Sequence, residues 1–242
     1  MTDPKKVQEL MKKLWPRLGN SELIRLGPDG DGGYLVPDDL DGITACFSPG
    51  VSAISGFEKD CADLGMTVFL ADRSVDQVAD NHDRFHFTRK YVGVTTNEDF
   101  MTFDDWVDSS IPNSDEDLIF QMDIEGFEYE TILNISDELM NRCRIFVVEF
   151  HNLNQLWNEH FFRLASRVFE KILQTHSCVH IHPNNDRKLQ KLNGLEIPPL
   201  AEFTFLRNDR IGKRSYTKNF PHPLDRDCTG EETIVLPKCW RT

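Results

Sequence analysis

Hydrophobic positions along the chain follow two rhythms. Val7, Leu10, Met11, Leu14 and Trp15 recur at helical spacing with lysines between them, which predicts an amphipathic helix over 4–16. The stretch GPDGDGG over 27–33 is dense in turn residues and leads into the short apolar run Tyr34-Leu35-Val36. From there, short apolar runs alternate with longer amphipathic ones. Strands are predicted at 43–48, 67–71, within 85–94, and at 118–122, 144–150, 178–182 and 201–206. Helices are predicted between them at 52–64, 75–81, 99–109, 126–140 and 154–175, with Ser52 as the N-cap of the first. Alternating strands and helices imply parallel βαβ units. The expected fold is therefore α/β, with a doubly wound, Rossmann-like sheet covered by helices on both faces. No repeat and no Gly/Ser- or Pro-rich linker divides the chain, so one domain is expected over 1–242. Its parts are an N-terminal helix and Gly-rich cap segment (1–40), a core (41–206) and a C-terminal extension (207–242).

Composition narrows the partners. The 242 residues hold 27 lysines and arginines against 40 acids, a formal charge of -13. Nucleic acid and anionic membrane surfaces are therefore not expected as partners, because both require an electropositive face. Small neutral or cationic ligands stay open. The charge is also uneven: residues 91–141 contain fourteen acids and no lysine or arginine, whereas 207–218 contain five basic residues. A solvated acidic face is the ordinary meaning of such a run. The alternative is that some carboxylates surround a cationic ligand or metal, and Asp123 and Glu125 are the candidates because they follow an apolar strand. The six cysteines are scattered without metal-ligand spacing and read as reduced thiols. No apolar run approaches the ~18 residues of a membrane span, and 1–6 has no apolar leader. The expected location is cytoplasmic.

In open α/β sheets, ligands bind outside the carboxyl ends of the strands. After the first core strand comes Ser48-Pro49-Gly50-Val51-Ser52, where Gly50 lets the backbone approach a ligand. The dinucleotide fingerprint GxGxxG is absent, which argues against an NAD-dependent oxidoreductase. The second strand ends at Asp72, either a ribose acceptor or the N-cap of a following helix. The fourth supplies the sharpest feature, Asp123-Ile124-Glu125-Gly126-Phe127-Glu128 at a strand exit. The next exits as Glu149-Phe150-His151, and a later one as His180-Ile181-His182. Carboxylates and histidines at neighbouring strand ends are the material of hard-metal and proton-abstraction sites.

The segment DIEGFEYE over 123–130 is similar to the D-x-E-G-x-E motif of FkbM-type, S-adenosylmethionine-dependent methyltransferases. GDGGYLVP over 30–37 resembles the N-terminal D-G-G-Y segment of a branch of that family. FSPGVS stands in the place of its methionine-binding loop, and VFLAD over 68–72 resembles its ribose-binding strand. One departure is that Ser48-Pro49-Gly50 replaces the usual acid-x-Gly-x-Gly. The resemblance implies a seven-stranded, mostly parallel sheet with a reversed last strand at 201–206. It also implies methyl transfer from S-adenosylmethionine to an oxygen of a small-molecule or glycan acceptor, often a sugar hydroxyl. The cofactor would meet Asp31, Gly33, Tyr34, Ser48, Gly50, Asp72, Asp123, Ile124 and Glu125. By resemblance to metal-dependent sugar and catechol methyltransferases, Asp123 and Glu149 would hold Mg or Mn, completed by His182 or His151. Without a metal, His151 or Asp123 is the expected base. The rival expectation is a non-catalytic adenosine-ligand-binding protein on the same fold.

Overall fold

The computed structural model describes residues 1–51, 55–112, 114–212 and 215–242. Its central sheet contains β1 (Ile43–Pro49), β2 (Thr67–Ala71), β3 (Phe85–Thr88), β4 (Asp117–Met122), β5 (Cys143–Phe150), β6 (His176–Pro183) and β7 (Ala201–Arg207). They lie in the order β6-β7-β5-β4-β1-β2-β3. The pairs among β1 to β5 are parallel. β7 inserts between β5 and β6, antiparallel to both. The mixed α/β sheet with its reversed last strand is as expected.

Side chains alternate across this sheet and divide the core in two. Phe47, Phe120, Phe146, Phe150 and Phe203 join a large cluster with α1 (Pro4–Lys13), α3 (Phe103–Ser110), α4 (Glu128–Asn134), α5 (Asp137–Arg142) and α6 (Glu159–Thr175). Cys46, Val68, Ile119, Val147 and Leu206 join a second cluster, which α2 (Gly56–Asp63) covers with Phe57 and Cys61. An antiparallel hairpin, Leu23–Leu26 with Tyr34–Pro37, adds Tyr34 and Val36 to that cluster. Thr204 Oγ1 ties the hairpin to β7 by donating to Leu35 O at 2.6 Å. With both faces covered, all eight residues of β5 are buried, and its centre, 145–148, is wholly apolar. The chain after β7 returns to the core: Leu236 and Trp240 are buried there, and Trp15 Nε1 donates to Cys239 O at 3.0 Å.

Several expected helices differ. None forms over 75–81. Asp72 accepts from Ser74 N and Oγ, both at 2.6 Å, a local turn that competes with helix, and so caps none. The helix expected over 99–109 starts at Phe103, capped by Thr102, because Phe100–Thr102 instead pairs with Tyr91–Gly93. The run 126–140 divides into α4 and α5 because Ser136 caps the second helix, its Oγ accepting from Leu139 N at 3.1 Å. The run 154–175 opens with a 3₁₀ turn, Leu153–Trp157, before Asn158 caps α6. The N-cap expected at Ser52 lies outside the described residues.

Candidate active site

The site begins with a close approach of backbones. Gly50, at the exit of β1, has φ +92° and donates its N–H to Ala71 O at 3.0 Å, while Asp123 N donates to Pro49 O at 3.4 Å. A Cβ on Gly50 would sit 1.5 Å from Asp123 O, so only glycine fits. That contact brings the exits of β1, β2 and β4 together. Asp72 is half-buried at the edge of this group, with Oδ1 engaged by Ser74.

Beneath it runs a buried polar chain. Ser48 Oγ lies 2.5 Å from Glu58 Oε1 on α2 and 2.7 Å from Gln121 Oε1 on β4, and Gln121 Nε2 donates to Tyr34 Oη at 3.2 Å. A serine hydroxyl has one proton and cannot serve two acceptors at once. Burial raises the Glu58 pKa, partly offset by its hydrogen bond with Ser48. Burial, reinforced by Asp123, Glu149, Glu202 and Glu58, holds the Tyr34 phenol well above its ordinary value. The preceding loop wraps Arg25, whose Nε donates to Pro28 O at 2.7 Å and Nη2 to Gly30 O at 2.6 Å. Gly33 packs onto that guanidinium, where a Cβ would lie 2.5 Å from Nη2. Asp31, from the same loop, adds its charge to the field that raises Asp123 and Glu149.

The exits of β4 and β5 form the reactive-looking part. Glu125 and Asn152 both adopt left-handed backbone, at φ +58° and +60°, and Gly126 follows at +102°. Non-glycine residues in that region are strained by roughly 1–3 kcal/mol and concentrate at functional sites. Glu128, fully buried at the start of α4, braces the turn: its Oε1 accepts from Ile124 N at 3.1 Å and Gly126 N at 2.9 Å. The same oxygen lies 3.1 Å from His151 Nδ1. His151 Nε2 lies 3.4 Å from Glu125 Oε2 and 3.9 Å from Asp123 Oδ1. Burial, with Glu125, Glu128 and Asp31, pushes Asp123 up to about 7 against the opposing effect of His151. Burial pulls His151 down, but Glu128, Asp123 and Glu125 outweigh it and raise the imidazole overall.

Ligand atoms of Asp123, Glu125 and His151 lie within 4.8 Å of one another, close enough to share a metal ion. The set expected from sequence is only partly gathered. Asp123 and His151 meet, whereas Glu149 and His182 are not members of that group. They belong to a buried row in which His182 stands opposite Glu202 and Glu202 opposite Glu149. Asn184 Nδ2 donates to Glu149 Oε1 at 3.2 Å, and His182 Nδ1 turns toward Asp225 Oδ2, 3.7 Å away. Glu202 is pushed up to about 7 by burial, partly offset by His182.

Sequence reasoning missed Glu58, Gln121, Glu128, Glu202 and Asp225. Glu202 was visible as an acid inside the apolar run AEFTFL. Glu128 is the last acid of the D-x-E-G-x-E motif, and nothing in the sequence alone assigns it a partner. Asp225 lies in irregular chain, where no periodicity marks it.

Residues 45–181, more than half of the chain, match the model of the methyltransferase FkbM domain, and the chain belongs to that family of methyltransferases. The match runs from β1 into β6 and so includes Gly50, Asp72, Asp123, Glu128, Glu149 and His151. A comparison with curated proteins gives no match. Among the described residues, no helix is long and apolar enough to cross a membrane.

Proposed function

We propose that the protein is an S-adenosylmethionine-dependent O-methyltransferase acting on a small hydroxylated acceptor, a sugar or glycan hydroxyl in first place. The observation that carries this reading is the meeting of Asp123 and His151 beside the Gly50 turn. The strand order supports a doubly wound, Rossmann-like frame, since β1 is followed in the sheet by β2 on one side and β4 on the other. One feature fits a cationic cofactor: the buried Asp123 Oδ1, beside the Gly50 turn, has no hydrogen-bond partner. In this reading Asp72 holds the ribose. Ser48, Gly50, Asp31, Gly33, Tyr34, Ile124 and Glu125 shape the methionine end. We read the whole chain as one domain in the cytoplasm, with neither nucleic acid nor membrane as partner.

S-adenosylmethionine, when bound, supplies a methyl group on a positively charged sulfur. The protein's task is then to align an acceptor oxygen and remove its proton. His151 Nε2 receives that proton, and Asp123 stabilises the imidazolium that forms. A divalent Mg or Mn is the second reading, favoured by the closeness of Asp123, Glu125 and His151. It would lower the hydroxyl pKa and leave the proton easier to remove.

Calorimetry with S-adenosylhomocysteine and NAD, followed by methyl transfer to a panel of sugars, tests the proposal. Tight S-adenosylhomocysteine binding with turnover is expected. Binding without turnover on any acceptor would favour the non-catalytic adenosine-ligand reading, and NAD binding alone would overturn both.

A further inference from the structure

Glu128 is a buried acid with more contacts than a helix start requires. Its side chain is fully buried, and one oxygen faces three nitrogens: Ile124 N, Gly126 N and His151 Nδ1. Its other oxygen, Oε2, is buried without a partner. An unsatisfied buried carboxylate oxygen is costly, so the carboxylate must be repaid by what Oε1 does. Bracing the turn needs only an acceptor, which a neutral amide also provides. A carboxylate is needed where the partner is an imidazole that gains charge.

We propose that Glu128 is a positioning residue that fixes the tautomer and orientation of His151, a role that rests on the reading of His151 as a site residue. Glu128 Oε1 already accepts from two backbone N–H groups, so the imidazole nitrogen facing that same oxygen carries the proton. The neutral ring is then protonated at Nδ1 and bare at Nε2. Tyr129, the residue after Glu128, donates from Oη to His151 O at 2.7 Å and fixes the backbone behind the ring. Nε2 is thereby presented to the gap between Asp123 and Glu125, where an acceptor hydroxyl would deliver its proton. The same Oε1 holds the strained turn that carries Asp123. One oxygen thus sets the distance between the two groups of the proposed reaction.

Three variants separate this role from a purely structural one. The ¹⁵N shifts of His151 are read in the cofactor-free protein at a pH where the ring is neutral, with His151→Gln to assign the signals. Wild type is expected to show an unprotonated Nε2. In Glu128→Leu the population is expected to move toward the Nε2–H form. Its kcat is expected to fall roughly 100-fold or more, with KM within about threefold, because a base in the wrong tautomer cannot accept the proton. Glu128→Gln keeps an acceptor for the backbone N–H groups and is expected to recover the wild-type tautomer and part of the lost kcat. Unchanged His151 shifts with wild-type kcat in Glu128→Leu would overturn the proposal; if the leucine variant does not fold, a kcat of Glu128→Gln equal to wild type would do so. Full turnover by His151→Gln would instead overturn the base reading, while the tautomer measurement still decides the role of Glu128.

Discussion

Two acid–histidine clusters stand at the carboxyl end of the same sheet, and they differ in burial and in what the histidine faces. At the exits of β4 and β5, His151 has a buried carboxylate behind it and two partly or fully exposed acids in front, Asp123 and Glu125. Backbone strain flanks it on both sides, at Glu125 and Asn152. At the exit of β6, beside the start of β7, His180 and His182 face Asp225 from the C-terminal segment, and all three side chains are less than 10% exposed. His180 Nε2 lies 2.9 Å from Asp225 Oδ1, and Asp225 Oδ2 accepts from His222 N at 2.8 Å. The residue types match, but in the second cluster both Asp225 oxygens are engaged from within the protein and clasp the C-terminal segment, although His182 Nε2 is buried without a partner. The first leaves Asp123 Oδ1 without a partner and Nε2 facing outward. Composition at a strand end does not separate chemistry from architecture; the partner behind the histidine does.

The largest break in this comparison should come from Asp123→Asn. Turnover is expected to fall by about 10²–10⁴-fold, the range for losing a proton-transfer partner, while S-adenosylhomocysteine binding stays within a few-fold by calorimetry. Excess chelator sharpens the same test: activity lost to chelator and restored by Mg or Mn supports the metal reading, and full activity leaves His151 as sole base.

Asp225→Asn should do the opposite, lowering stability by about 3 kcal/mol, as for breaking a buried ion pair, with turnover of the folded enzyme nearly unchanged. Urea unfolding against pH shows the sign. Burial opposes ionisation of Asp225, but His180 and His182 overcome it and draw its folded pKa below the ordinary value. That contribution is present above the unfolded Asp pKa of about 3.9 and is lost as pH falls through the folded value. His182 is raised overall by Asp225 and Glu202 despite its burial. Its contribution is full below the unfolded His pKa of about 6.5 and is lost as pH rises through the folded value. The clasp should therefore contribute most between about pH 4 and 6.5, and Asp225→Asn should flatten that maximum.

Asp72→Ala should weaken S-adenosylhomocysteine by roughly ten- to hundredfold, the loss of about 1.5–3 kcal/mol from a charged acceptor, with kcat at saturation near wild type. Equal binding would detach the cofactor from β2. The smallest effect is expected from Asp104→Asn with Asp105→Asn. Both lie in the acidic stretch, where Asp104 accepts from Ser136 N at 3.0 Å and Asp105 bonds Thr96. Methyl transfer should stay within a few-fold, since exposed charges contribute at most about 1 kcal/mol each.

Most strands of the central sheet were legible because they are buried on both faces and contain short apolar runs, such as 145–148 of β5; β3 is only partly buried. The resemblance also pointed to the reversed strand at 201–206, which pairs antiparallel on both sides. Periodicity failed where side chains bond their own backbone: Asp72 with Ser74 replaced a helix by a turn, and Ser136 divided one helix into two. For the site, the position rule led to Asp123 and His151, which the structure brings together. It also grouped Glu149 and His182 with them, because strand order and cross-strand register are set by the whole sheet. Asp225, which draws His182 aside, is 43 positions further along the chain and in irregular backbone. No local pattern could have placed it.

The central claim is that methyl transfer happens at the exits of β4 and β5, with His151 taking the proton. Transfer of a labelled methyl group from S-adenosylmethionine to a sugar acceptor, by wild type and His151→Gln with calorimetry on both, tests it most directly. The account predicts that His151→Gln transfers label at least about 100-fold more slowly while binding S-adenosylhomocysteine within threefold of wild type. Wild-type transfer by His151→Gln would contradict it.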